Sequence, residues 1–337
     1  MESRYVEFTG PGEVAVETEE VSTENLGPWE VVLRNEASLV SPGTELARLH
    51  DVGGVGQYPS RPGYASVGCL VAAGEAVTDF EPGERIFYAG GHAEVQRFRH
   101  GQDHQWGRLY PVPAELAPED AVFGCLAEIG NTAPTVTELD LNDTVAVFGL
   151  GLVGNLAAQL YGLMGARLIG LDPVSARCEL ARQTGIATAL DVAPPEQVEA
   201  ILELTEDGVD VAVDAVGHSA VIENCIAATR LFGQVILVGT PRAAHECNAT
   251  PAWNRVHEKG LVVRGAHQWR FPAMPLREVK KTVPWAFGTM FELILSGELR
   301  VGPLRSHHVR PERAPDAYEG LRTDREHFCG VVFDWTE

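Results

Sequence analysis

The spacing of apolar and polar residues divides the chain into two textures. Up to about residue 125, short alternating apolar runs (Val14–Val16, Val31–Arg34, Ser66–Val71, Arg85–Tyr88) are separated by the turn pairs Pro11-Gly12, Pro42-Gly43 and Pro82-Gly83. Alternation of this kind predicts antiparallel strands with one face on a core. From Asp143 to about His267 the apolar runs become continuous and interleave with helical stretches. Strands are predicted at Val145–Phe148, Arg167–Leu171, Val209–Val213, Val235–Gly239 and Leu261–Ala266. Helices are predicted up to about Met164, over Arg177–Gly185 and over Ala220–Leu231. Unbroken apolar strands suit a sheet covered on both sides, so this half reads as a doubly wound parallel α/β sheet. A helix at Trp285–Leu295 and a last strand at Gly330–Trp335 are expected to return to the first domain. Gly53, Gly54 and Gly56 read as a surface loop.

The first strand of the second half runs straight into Gly149-Leu150-Gly151-Leu152-Val153-Gly154, a complete G-x-G-x-x-G. A helix follows, and Asp172 closes the next strand about 20 residues on. Gly149 suits the tight turn, Gly151 lets backbone approach a pyrophosphate at the helix N-terminus, and Gly154 allows close helix–strand packing. Asp172 can accept hydrogen bonds from both hydroxyls of an adenosine ribose. Together these predict a Rossmann dinucleotide site for NAD. The segment Thr144–Ala166 carries no charge and could in length span a bilayer. Its glycines and strand character argue against that.

Composition narrows the classes. At 337 residues the chain has room for two domains, and 45% hydrophobic content is ordinary for a globular protein. The net charge of −21, with lysine only at Lys259, Lys280 and Lys281, disfavours nucleic acid and anionic membranes as partners. Six scattered cysteines (Cys69, Cys125, Cys178, Cys225, Cys247, Cys329) without a C-x-x-C pair suggest reduced thiols in a cytoplasmic protein. The charged N-terminal segment does not read as a signal peptide.

The order of the pieces resembles the medium-chain dehydrogenase/reductase family over essentially the whole chain. Ser41-Pro42-Gly43-Thr44-Glu45 is similar to the family's C-G-T-D element, and Arg61-Pro62-Gly63-Tyr64-Ala65 with Ser66-Val67-Gly68 to its P-G-H-E…G element. Gly90-Gly91-His92-Ala93-Glu94 is similar to G-G-F-A-E, and Leu126-Ala127-Glu128 to L-x-E of the polyol branch. The resemblance implies a GroES-like catalytic domain at 1–128 and 269–337 and a Rossmann domain at 129–268. It also implies a small-molecule substrate and a homodimer. Two motifs, S-P-G-T-E and R-P-G-Y-x-S-V-G, further resemble a branch holding the bacteriochlorophyllide hydroxyethyl dehydrogenase and sugar- or cyclitol-directed enzymes.

The departures bear on mechanism. Zinc-dependent members hold the catalytic ion where this chain has Pro42, Tyr64 and Ala65; only Glu128 of the ligand set remains. Proline and alanine have no ligating side chain and tyrosine is an uncommon zinc ligand. The four-cysteine structural-zinc segment expected between about Ala93 and Tyr110 contains no cysteine. Both zinc sites are therefore expected to be absent. A regrouped metal site from His92, His100, His104, Glu45 and Glu128 is the alternative, although RHGQDHQWG reads as a loop.

Without a metal, another group must take the hydroxyl proton. Glu128 is the first candidate for that role, or else it pairs with an arginine as a brace. Tyr64 is expected to face substrate, as a donor or as a filler of volume, and Thr44 to relay protons. Glu45 reads as a structural hydrogen-bonding residue. Cofactor contacts are expected from Gly149, Gly151, Leu152, Val153, Gly154, Asp172 and Arg177. The resemblance adds Val216, Gly217, Val238, Gly239, Thr240 and His267, and places Tyr64, His92 and Trp269 at the substrate. The reaction expected is NAD-dependent, zinc-independent oxidation of a secondary alcohol on a sugar, cyclitol or polyol. The alternatives are a quinone or enoyl reductase, a hydroxyethyl-chlorophyllide dehydrogenase, and a nucleotide-binding protein without turnover.

Overall fold

The computed structural model describes residues 1–101, 107–274 and 276–336, and its backbone forms two compact units. The first comprises Met1–Cys125, Phe271–Gly297 and Arg305–Glu337. The second comprises Leu126–Arg270 and Glu298–Leu304, so the division falls three residues before Glu128, and a short C-terminal segment rejoins the second unit.

In the first unit, β1 (Glu2–Gly10) and β2 (Glu13–Glu20) form an antiparallel hairpin. The long strand β3 (Glu30–Leu39) is the axis of the main sheet. After helix α1 (Pro42–Leu49) come β4 (Ser66–Ala73), β5 (Arg85–Tyr88), β6 (Val95–Arg99) and β7 (Leu109–Pro111). β3 pairs with β4, with β6 and with the C-terminal strand Gly330–Asp334. It buries Val31, Val32, Leu33, Ala37 and Leu39 completely or nearly so, as a strand with neighbours on both sides must. A short helix α2 (Pro118–Ala121) precedes α3 (Gly124–Val136), which carries the chain into the second unit.

The second unit is a six-stranded parallel sheet: β8 (Thr144–Phe148), β9 (Arg167–Asp172), β10 (Ala189–Asp191), β11 (Val209–Asp214), β12 (Thr229–Leu237) and β13 (Val262–Gly265). The order β10-β9-β8-β11-β12-β13 reverses between β8 and β11, where doubly wound sheets bind ligands at their strand C-termini. The helices are α4 (Leu152–Leu163), α5 (Ser175–Gln183), α6 (Gln197–Thr205), α7 (Ser219–Ala228) and α8 (Thr250–Lys259). Val145 and Val147 enter one core with Leu150, Ala157 and Tyr161, whereas Ala146 and Phe148 enter another with Leu171, Val221 and Cys225. Both faces of β8 are thus buried, which explains its uninterrupted apolar run.

The helix expected over Ala220–Leu231 stops at Ala228, and Thr229–Leu231 belong to β12. Thr229 pairs with Val209, and a register shift follows before Gln234 pairs with Val211. Pairing with β11 decides a stretch whose apolar pattern alone fits a helix. The tail supplies α9 (Val283–Leu295), β14 (Arg305–Val309), α10 (Ala314–Thr323) and β15 (Gly330–Asp334), all in the first unit. Tyr318 of α10 packs with Val6, Phe8, Leu49 and Phe333 in that unit's core. Among the described residues no helix is long and apolar enough to cross a membrane.

Candidate active site

In the first unit the S-P-G-T-E motif starts a helix. Pro42 occupies its first turn, where a missing N–H costs nothing, and Ser41 is the N-cap. Ser41 does not cap with its side chain. Its backbone N–H donates to Glu45 Oε1 at 2.7 Å, and its hydroxyl accepts a short hydrogen bond from the Tyr64 phenol. The Thr44 hydroxyl also hydrogen-bonds that phenol. Burial holds the phenol's pKa well above its ordinary value, so Tyr64 stays protonated. The sequence reading placed Tyr64 and Thr44 at one site, and the structure brings them together.

Behind this pair lies a fully buried polar chain. Glu45 Oε2 accepts from the Tyr318 hydroxyl at 2.5 Å and meets His92 Nε2 at 3.1 Å. His92 Nδ1 meets Ser38 Oγ at 2.8 Å, and the Trp335 indole N–H donates to the same oxygen at 2.9 Å. One assignment satisfies every group: His92 donates from Nε2 to the Glu45 carboxylate and accepts at Nδ1 from Ser38. With both ring nitrogens occupied and 1% of the residue exposed, His92 has no donor or acceptor for a substrate, contrary to its expected substrate role. Glu45 is structural, as expected. His100 lies elsewhere, buried against Trp29 and Phe80 with Nδ1 donating to the Gly107 carbonyl at 3.3 Å. His104 lies outside the described residues.

In the second unit the glycine fingerprint joins β8 to α4. Gly149 has φ +92°, a conformation that L side chains rarely adopt. A Cβ on Gly154 would lie 1.9 Å from the Gly149 carbonyl oxygen, so a side chain there is excluded. Gly151, the N-cap of α4, has open space where its Cβ would be and offers no capping side chain. The first-turn amides of Leu152, Val153 and Gly154 are thus left to an anion, which fits a pyrophosphate. Asp172 is 2% exposed at the end of β9. Its carboxylate accepts from the Leu150 and Val174 amides at 2.8 and 2.9 Å and from Arg177 Nη1 at 3.4 Å. Val216, Gly217, Val238, Gly239 and Thr240 follow the C-termini of β11 and β12 and are partly or fully exposed, as a ligand-lining edge should be. His267 and Trp269 stack with centroids 5.7 Å apart; the Trp269 amide donates to His267 Nδ1 at 3.2 Å, and Trp269 is 62% exposed.

Glu128 sits on α3 and is 2% exposed. Its Oε1 has no hydrogen-bond partner among the described residues, and burial pushes its pKa up to about 8. Among the described residues no arginine pairs with it, so the bracing role finds no support. One turn along, Asn131 Nδ2 is likewise buried and unpartnered. The i, i+3 spacing puts an orphaned acceptor and an orphaned donor on one helix face. Sequence reading missed Asn131; the signal was an amide three positions after Glu128 in a helix whose other polar residues are Thr132 and Thr135. It also missed Asp214, buried at the end of β11, which accepts from the Val216 and Gly217 amides while Oδ2 has no partner among the described residues.

The donor chemistry does not fit a catalytic zinc at the resembling positions. Pro42 starts a helix, Ala65 carries no ligand, and the Tyr64 hydroxyl is taken up by Ser41 and Thr44.

Residues 153–278 match the family model described as zinc-binding dehydrogenase. The chain is 30% identical over 306 residues to L-threonine 3-dehydrogenase of Vibrio parahaemolyticus, covering 82% of each sequence. The chain belongs to the medium-chain dehydrogenase/reductase family. It is an oxidoreductase. Its fold matches galactitol-1-phosphate dehydrogenase from Escherichia coli with a TM-score of 0.81 at 20% identity, over 98% of this chain and 99% of that one. It also matches 2R,3R-butanediol dehydrogenase from Bacillus subtilis with a TM-score of 0.78 at 18% identity, over the same shares.

Proposed function

We propose that this member of the family oxidises a secondary alcohol with NAD and without a metal, and that its substrate is a sugar, cyclitol or related polyol. The observation that carries the reading is the buried α3 face, where Glu128 Oε1 and Asn131 Nδ2 have no partner among the described residues. An unpaired acceptor and donor in a dry setting cost a few kcal/mol unless a ligand satisfies them. A hydroxyl does both, since it donates to the carboxylate and accepts from the amide. The relatives named for threonine, galactitol 1-phosphate and butanediol support an alcohol as substrate.

Bound NAD supplies the acceptor for the hydride that leaves the carbinol carbon. Glu128 takes the hydroxyl proton in oxidation and returns it in ketone reduction. Its raised pKa matches it to both directions near neutral pH, since a proton-transfer group works best when its pKa lies close to the working pH. Asn131 orients the oxygen. Asp172 selects NAD, because the 2′-phosphate of NADP would bring like charge to a buried carboxylate. Tyr64, held protonated by burial and bonded to Ser41 and Thr44, is the competing proton donor.

The test is a panel of sugars, cyclitols and diols offered with NAD to chelator-treated protein, reading NADH formation. Reduction of enones or quinones with NADPH, and no alcohol turned over with NAD, would overturn the proposal.

A further inference from the structure

Outside the dinucleotide edge, the second unit brings together three side chains that the dehydrogenase reading does not use. Glu223 lies on α7, and His245 and Cys247 lie on the segment that leads from β12 to α8. One ligand atom from each, a carboxylate oxygen, an imidazole nitrogen and a thiol sulfur, lies within 4.8 Å of the other two. His245 and Cys247 are two apart in irregular backbone. Among the described cysteines Cys247 is the exposed one.

We propose that Glu223, His245 and Cys247 form a binding site for a zinc-type divalent ion. The donor set is the oxygen, nitrogen and sulfur mixture that zinc prefers, whereas magnesium and calcium take oxygen ligands. Ligand atoms around a tetrahedral zinc stand ~3.5 Å apart, given bond lengths near 2.0–2.3 Å. Exposed or half-buried side chains on a loop and a helix surface can close that difference by rotamer changes. The thiol hydrogen-bonds the Glu223 carboxylate, and on ligation its proton leaves to the solvent that exposed Cys247 faces. A second imidazole is near: the His218 ring centroid lies 5.3 Å from that of His245. Its Nδ1 accepts from the Ala220 amide, so its Nε2 carries the proton and the fourth position is left to water.

The ion would act as a clamp. α7 begins just after Gly217, and the ligand-bearing segment begins just after Gly239 and Thr240. The two glycines already touch, since a Cβ on Gly239 would lie 2.2 Å from the Gly217 amide nitrogen. Ligation would tie together two segments that both open on the dinucleotide edge, at a point removed from the chemistry.

The experiment uses full-length protein, stripped with chelator, kept reduced with a phosphine and titrated with Co²⁺. The expected result is one equivalent of Co²⁺ per chain with a thiolate-to-cobalt charge-transfer band, lost on adding Zn²⁺. Cys247→Ala removes a ligand rather than a supporting partner, and is expected to weaken Co²⁺ binding by more than ~100-fold. The variant should abolish the band and leave turnover and melting temperature of the metal-free protein unchanged. His245→Ala should shift the band and weaken binding. No band at millimolar Co²⁺, or a band that persists in Cys247→Ala, would overturn the site.

Discussion

His92 and Glu45 meet at 3.1 Å with both side chains completely buried. The contact joins the G-G-H-A-E and S-P-G-T-E motifs inside the first unit, and Tyr318 and the Ser41 amide complete the carboxylate's shell. Removing the carboxylate strands three polar partners in the core. Glu45→Ala is therefore expected to lower stability by ~3–5 kcal/mol, with Glu45→Gln less damaging because it keeps an acceptor. Urea denaturation checks this; a loss below ~1 kcal/mol for the alanine variant would mean the network is dispensable.

The proton-transfer role of Glu128 has a signature in both rate and stability. Glu128→Gln is expected to cut turnover by ~100-fold or more, with NAD affinity and melting behaviour largely kept. Oxidation by the unaltered protein should rise with pH up to about 8, as the carboxyl loses its proton, and the variant should lack that limb. The raised pKa favours the protonated carboxyl in the folded state. Its stabilising effect is full below the unfolded carboxyl's pKa and is lost as pH rises through about 8. Glu128→Gln should therefore gain stability relative to the parent at pH 9 compared with pH 4. If Tyr64→Phe abolishes turnover and Glu128→Gln does not, the proton belongs to the tyrosine.

Asn131→Leu separates binding from chemistry. It removes the amide donor while keeping volume, so KM for the alcohol should rise ~10-fold, in line with the loss of a single hydrogen bond. An unchanged KM would remove Asn131 from the substrate's surroundings.

Much of the second unit was legible before any coordinates. Buried parallel strands write themselves as apolar runs, and the glycine fingerprint states its own backbone demands at Gly149 and Gly154. The first unit was less so. Nothing in the sequence tells that His92 turns inward, because its partners Ser38, Glu45 and, through Ser38, Trp335 come from far along the chain. Thr229–Leu231 failed for a similar reason: local apolar pattern fitted a helix, and a neighbouring strand decided otherwise. Glu128 could be picked out from its motif. Asn131 needed burial and a missing partner to stand out.

Calorimetric titration should show tighter binding of NADH than of NADPH. Asp172→Ala is expected to narrow that gap. It also releases the Leu150 and Val174 amides that the carboxylate braces, so some stability goes with it. Tighter binding of NADPH by the unaltered protein would overturn the assignment.

Turnover should survive exhaustive chelation, in the parent chain and in Cys247→Ala alike. Activity lost on chelation and restored by zinc in both proteins would place a metal in the reaction.

The hydroxyl-to-hydroxyl link between Tyr64 and Ser41, set beside a helix that begins at Pro42, also bears on how such a chain can change. Tyr64→His alone would forfeit the phenol's bond to Ser41 and still face a proline. Pro42→Cys alone would place a thiol beside an engaged tyrosine. Neither single step yields an ion its ligands, so a metal at this site would require both substitutions together.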